Sequence, residues 1–262
     1  MKSILFSGAL TAVLLAPNAH GAATILLWPI DPWLAADNTA TELWIQNQGS
    51  EATTMQVRIV RWQQQDGFER YQPQQDVVAS PPVVRIEKGK KQLIRLIKQS
   101  PVPAGVEQAY RIIVDEIPQP EQASKPQMGL KVQMRYSLPF FVYGQGIVTA
   151  IENEHPTRVE ASKLSWRVVQ EQGKPLLEVR NQHDTHARLS KVSLHQGGSQ
   201  KIIAEGLLGY VLPGSYRRWP LPAGVTQSDS LTATVNTQSN QWQSAPTRHT
   251  AGDDTDYHQQ CA

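Results

Sequence analysis

The run Gly129-Leu130-Lys131-Val132-Gln133-Met134-Arg135-Tyr136-Ser137-Leu138-Pro139 constrains this chain most. Apolar and polar residues alternate with period two until a proline ends the run. On a strand, Leu130, Val132, Met134, Tyr136 and Leu138 share one face, and Lys131, Gln133, Arg135 and Ser137 share the other. Upstream, Tyr110-Arg111-Ile112-Ile113-Val114-Asp115-Glu116-Ile117 is a second strand, closed by Pro118. A strand that carries an apolar row and can pair with another chain can supply that chain with a strand it lacks.

The same period recurs along the chain. Ile25 to Ile30, Thr41 to Asn47, Thr54 to Trp62, Val77 to Pro82 and Gln92 to Ile97 all read as strands, with turn signals at Gln48-Gly49-Ser50, Asp66-Gly67 and Lys88-Gly89-Lys90. With the two strands above this makes seven over about 115 residues, and no helical pattern interrupts them. The expectation is an all-β chain whose first unit is an immunoglobulin-like sandwich. Beyond Gly144-Gln145-Gly146 the pattern resumes in Ser165 to Val169, Pro175 to Arg180, Ala187 to Leu194, Tyr210 to Ser215 and Leu231 to Asn236. Two β-sandwich domains in series are expected, over 22–139 and 140–243, followed by a polar, disordered tail over 244–262.

The first residues read as a secretory signal peptide over 1–21. A basic Lys2 is followed by an apolar run from Ile4 to Leu15, then Pro17 and the small-residue pattern Ala19-His20-Gly21. No later stretch has the roughly 18 apolar residues a membrane helix needs, so no membrane insertion is expected. The net charge of +2 falls to +1 without Lys2, which offers no whole-protein argument for nucleic acid. Cys261 is the one cysteine, so an internal disulfide and a thiolate zinc cluster are both excluded.

Few residues suggest chemistry. His183-Asp184-Thr185-His186 follows a strand and reads as a solvated turn rather than a metal site. Asp115 and Glu116 are strand neighbours and point to opposite faces, unlike a catalytic carboxylate pair. No Gly-x-Ser-x-Gly turn and no phosphate loop occurs, so neither catalysis nor a cofactor is expected. Most of the tryptophans are expected in cores. Arg111 and Arg135, each set between apolar neighbours, are two surface arginines, or arginines paired with Glu107 or Glu116, or a two-arginine clamp for a carboxylate.

Taken in order, several of these segments resemble the PapD-like periplasmic pilus-assembly chaperones. They are Ser80-Pro81-Pro82-Val83-Val84-Arg85-Ile86-Glu87-Lys88-Gly89, Gln92-Leu93-Ile94-Arg95-Leu96, Glu107 to Pro118 with its Tyr-Arg and Glu-Ile-Pro elements, and Arg135-Tyr136-Ser137-Leu138-Pro139. Leu27-Trp28-Pro29-Ile30 and the short Pro118–Met128 loop are similar to the archaic branch. The resemblance implies two immunoglobulin-like domains set in an L. It also implies a periplasmic location, pilin subunits as clients and an outer-membrane usher as the next partner, while the sequence leaves both a monomer and a self-capping homo-oligomer open for the free chaperone. Leu130, Val132, Met134, Tyr136 and Leu138 would be the donor-strand row. Conventional members hold the subunit's C-terminal carboxylate with an arginine near the N-terminus and a lysine on the donor strand. The first strand here has neither cation, so Arg111 and Arg135 are the expected substitutes. The competing expectations are a secreted β-sandwich that binds carbohydrate or matrix, and a periplasmic hydrolase.

Overall fold

The computed structural model describes residues 25–118, 133–147, 151–152, 155–156, 163–225, 227–236 and 241–247. The expected signal peptide, Leu130 and Val132, and the tail beyond residue 247 lie outside them. Within the described residues the period-two segments are strands, as the alternation predicts.

The first ten strands are β1 (Ile25–Trp28), β2 (Trp33–Leu34), β3 (Ala40–Asn47), β4 (Thr53–Gln65), β5 (Phe68–Gln72), β6 (Val77–Ser80), β7 (Val83–Ile86), β8 (Lys91–Lys98), β9 (Glu107–Ile117) and β10 (Arg135–Tyr143). They form one sheet in the order β1-β3-β8-β6 and a second in the order β2-β10-β9-β4-β5, with β7 also on β4. Leu43, Ile45, Ile94 and Leu96 of the first sheet face Met55, Val57, Ile112 and Val114 of the second, and all are buried. Each such side chain contributes about 1.5–3 kcal/mol through burial.

Three strands exceed the sequence expectation. Asp66 and Gly67, both at positive φ, fold the long β4 back on itself and create β5. Short β7, over a stretch where the sequence pattern assigns no strand, pairs with the start of β4. Short β2 arises because the chain leaves β1 for the other sheet through Pro29–Pro32. The domain break was expected at Pro139, within a boundary stretch reaching Gly146. β10 runs through that proline, and its pairing with β9 is continuous from Arg135↔Asp115 to Tyr143↔Glu107. Gly144 follows at once, in a space where an added Cβ would lie 1.9 Å from the carbonyl oxygen of Pro103.

The second half holds β11 (Ile151–Glu152), β12 (His155–Pro156), β13 (Leu164–Glu171), β14 (Lys174–Asn181), β15 (Ala187–Gln196), β16 (Ser199–Val211), β17 (Tyr216–Pro220), β18 (Ser230–Val235) and β19 (Gln241–Ser244). Sheets β13-β14-β17 and β16-β15-β18-β19 enclose Trp166, Leu177, Val179, Leu189, Leu231 and Val235. The expected single strand Tyr210–Ser215 is instead the end of β16 and a turn. Pro213 and Gly214, the latter at φ 64°, reverse the chain before β17.

Both sandwiches use the same buried-asparagine device. Asn47, at the end of β3, donates to the carbonyls of Glu51 and Ile86 and accepts from the Gly49 N–H. Asn181, at the end of β14, donates to the carbonyls of Thr185 and Val211 and accepts from the His183 N–H. In each case one side chain satisfies buried backbone groups that no strand can reach.

Candidate functional site: an open strand edge and an arginine on aromatic faces

β9 divides its side chains between two faces. Tyr110, Ile112 and Val114 enter the first core, while Glu107, Ala109, Arg111, Ile113 and Asp115 point the other way. The second sandwich covers one end of that outer face, where Trp62, Ala109, Phe141 and Tyr143 pack on Tyr210 and Leu212. Polar contacts fix the junction. Gln64 donates to the Tyr210 carbonyl and accepts from the Leu212 N–H, both at 2.8 Å. Arg217 donates to the Gly67 carbonyl at 3.0 Å. The buried Glu107 carboxylate accepts from the His186 backbone N–H and lies 2.9 Å from His186 Nδ1, and the imidazole stacks on Phe141.

His186 is therefore buried in the junction, and the solvated turn expected for His183–His186 holds only for its exposed Asp184. The expected pairing of the arginines with Glu107 or Glu116 is not observed either. Glu107 is engaged by His186, and Glu116 accepts from the Thr53 hydroxyl at 2.9 Å. The sequence carried no signal for the Glu107–His186 contact, whose residues are 79 positions apart.

Arg111 and Arg135 occupy different surroundings. Arg111 lies at the edge of the covered patch. Its guanidinium carbon is 3.8 Å from the centroid of the Trp62 ring and 5.6 Å from that of Tyr210. Its Nε is buried without a hydrogen-bond partner. A guanidinium held in this way, on aromatic faces and short of an acceptor, is prepared for an anion. Arg135 is on the solvent side of β10, 69% exposed, and its Nε lies 2.5 Å from Asp115. Arg58 approaches the same carboxylate at 2.6 Å. Burial alone would raise the Asp115 pKa, but hydrogen bonds and charge from Arg135 and Arg58 outweigh it and hold the group below its ordinary range. In register, Arg111 faces Pro139 and Asp115 faces Arg135. The two arginines are thus four positions apart along the ladder, about 13 Å at roughly 3.3 Å per residue. The structure does not bring them together.

Of the expected donor row, Met134, Tyr136 and Leu138 are half-buried. Tyr136 and Leu138 pack against the first core, and the same face continues into the buried Phe140 and Val142. One edge of β10 is bonded to β9. The other meets β2 only at Phe141 and Val142, so among the described residues Arg135–Phe140 has no strand neighbour on that side. A cleft of about 590 Å³, lined by Trp28, Ile30, Pro32 and Trp33 among others, marks the crossover from β1 to β2. The Arg135–Phe140 stretch thus combines an unpaired backbone edge with an apolar row packed on the core.

No group of three or more His, Cys, Asp or Glu side chains that could hold a metal ion occurs among the described residues, and no described helix is long and apolar enough to cross a membrane.

Residues 33–147 match the model of the PapD N-terminal domain of pili and flagellar-assembly chaperones. Among solved structures, the chain is similar to one from the CsuC–CsuE chaperone–tip adhesion subunit pre-assembly complex of the archaic chaperone-usher Csu pili of Acinetobacter baumannii. Identity is 31%, the TM-score is 0.70, and the match covers 87% of this chain and all of that one. The Escherichia coli chaperone DraB matches at 19% identity and TM-score 0.59, over 87% of this chain and 98% of its own. The Salmonella enterica SafA pilin–SafB chaperone complex matches at 17% and 0.61, over the same shares. Both of these support the fold alone. A comparison with curated proteins found no match.

Proposed function

The chain belongs to the family of pili and flagellar-assembly chaperones, and from that premise we propose that β10 is the strand it lends to an incomplete pilin subunit. The observation that carries this is the Arg135–Phe140 edge. It has unpaired backbone groups on one side and an apolar row, Tyr136 and Leu138, packed beside the first core. A subunit strand laid along the edge gains main-chain hydrogen bonds, and its own apolar interior becomes continuous with the chaperone's. Met134 extends the described row, and Leu130 and Val132 continue it upstream in sequence. The CsuC complex contains a tip adhesion subunit, and we assign a pilus subunit of that kind to this chain as its client.

We assign Arg111, not Arg135, to the client's C-terminal carboxylate. The support is the unpartnered Nε of Arg111 and the Asp115 ion pair of Arg135. Arg135 then lines the rim of the donor edge. The domain boundary we assign falls after Tyr143, where β10 ends. Action is stoichiometric, without turnover or ATP, in the periplasm, with an outer-membrane usher as the next acceptor. The test is co-expression with a candidate pilin in the bacterial periplasm. A soluble one-to-one complex is expected, and the pilin is expected to be lost when the chaperone is omitted. Equal accumulation of pilin with and without the chaperone refutes the reading.

A further inference from the structure

The second sandwich packs on the β2-β10-β9-β4-β5 sheet, which also carries the open edge of β10. The outer face of the sheet β1-β3-β8-β6 lies across the core from both. Leu27, Ile45 and Ile94 point into that core, so their strand neighbours point outward. In register, Trp28, Trp44 and Leu93 form an outward row over three strands, and Glu42 faces Arg95 in the next row. We propose that this face docks on the same face of a second copy, in a back-to-back dimer that leaves the β10 edge open.

The face has the make-up of an interface. Trp28 and Trp44 stack at 6.1 Å with their rings 9° from parallel, and Lys91 Nζ lies 4.6 Å from the Trp44 ring centroid. Aromatic side chains held in this way are the usual anchors of protein–protein contacts. Leu26 is 43% exposed at one corner and Val78 38% at another, and Ile30, 66% exposed, shares a cleft wall with Trp28. Contiguous apolar surface of this kind marks a contact site on a water-soluble sandwich.

Charge selects the occupant. Glu42 and Arg95 are both exposed. Glu42 accepts from Trp44 Nε1 at 3.2 Å, and Arg95 has no ion-pair partner among the described residues. A two-fold axis between them, parallel to the strands, sets Glu42 of each copy against Arg95 of the other. The same axis lays Trp44 of each copy on Leu93 of the other, apolar on apolar. A partner of one sign, such as an anionic membrane, gains nothing from this alternation. Four strands about 4.8 Å apart and four rows about 6.6 Å apart span roughly 500 Å² of flat face on each copy. Together the copies bury on the order of 1,000 Å², enough for a specific but reversible contact in the micromolar range. The dimer does not depend on the client assignment.

Sedimentation equilibrium of the purified protein over a concentration series tests this, with thermal melts to verify folding. The wild type should dimerise reversibly. Glu42→Arg and Arg95→Glu should each weaken the dimer at least about tenfold, because like charges then meet twice across the axis. An equimolar mixture of the two variants should recover the dimer, since opposite charges again face each other between the copies. Neither chain regains its own Glu42–Arg95 pair in that mixture, so recovery cannot come from folding. Glu42→Lys and Arg95→Asp take their places if either variant does not fold. A wild type still monomeric at about 100 µM overturns the proposal, and the face then belongs to another partner. Single variants that dimerise like the wild type also overturn it, as pairing through the β10 edge would predict. So does a mixture that stays monomeric.

Discussion

Glu178 shows how a buried charge can be tolerated when its partners surround it. Its carboxylate is fully buried on β14 and is approached by Arg167 at 2.9 Å, Arg180 at 2.9 Å and Arg218 at 2.8 Å. Burial alone would raise its pKa, yet Arg218, Arg167 and Arg180 together hold it below the ordinary glutamate range. A depressed folded-state pKa stabilises the fold above the unfolded-state value, and that contribution is lost as the pH falls through the folded-state value. Glu178→Gln should therefore destabilise the protein by about 3–5 kcal/mol at neutral pH, because three guanidinium groups lose the shared negative charge and one of its two acceptor oxygens. The deficit should shrink at acid pH, and urea melts at neutral and acid pH would show it. Arg111 is the opposite case, a cation with an unsatisfied buried Nε. Arg111→Met should change the stability of the free chaperone by no more than about 1 kcal/mol, since the lost cation–π contact is offset by relief of the buried donor. It should still weaken pilin capture. A large fall in melting temperature would make Arg111 structural rather than functional.

At the scale of one element, β10 separates two roles by face. Leu138 packs beside the first core, and Ser137 is exposed on the opposite face. Leu138→Glu should lower the stability of the free protein by about 1.5–3 kcal/mol and abolish capture, because one side chain serves both interiors. Ser137→Glu should leave both nearly unchanged. Circular dichroism with a pull-down separates these outcomes, and a Leu138→Glu variant that still binds would remove the donor role. Where β10 ends, Gly144 lies between close backbones. Its N–H donates to Val106 at 2.8 Å, and Gln145 accepts from the Gly105 N–H at 2.7 Å. Gly144→Ala would force the 103–106 segment away and should cost about 1–3 kcal/mol, readable from a denaturant midpoint.

For the whole molecule, the junction couples the two sandwiches through Glu107–His186, Gln64 and the Gly67 turn. Glu107→Ala removes the acceptor of both the His186 N–H and its imidazole and leaves these buried groups without it. Calorimetry should then resolve two unfolding transitions where the wild type shows one, as the sandwiches lose their coupling. A single transition shifted down as a unit would show that the aromatic packing of Trp62, Phe141 and Tyr210 suffices to couple them.

The strands at Met55–Ile59, Leu43–Ile45 and Ile112–Val114 were legible in the sequence because period two is a local property: each residue's face follows from its neighbour's. The family was legible for a related reason, since its motifs are short and fall in order along the chain. Tertiary structure alone decided the surroundings of the two arginines. Arg135 and Arg111 look equivalent in sequence, each between apolar neighbours, but the ladder pairs Arg135 with Asp115 and leaves Arg111 beside Trp62 and Tyr210. His186 resembles a loop histidine until Glu107 is brought to it from 79 positions away. Which polar group is paired and which is left over depends on long-range neighbours, and local alternation carries no information about them.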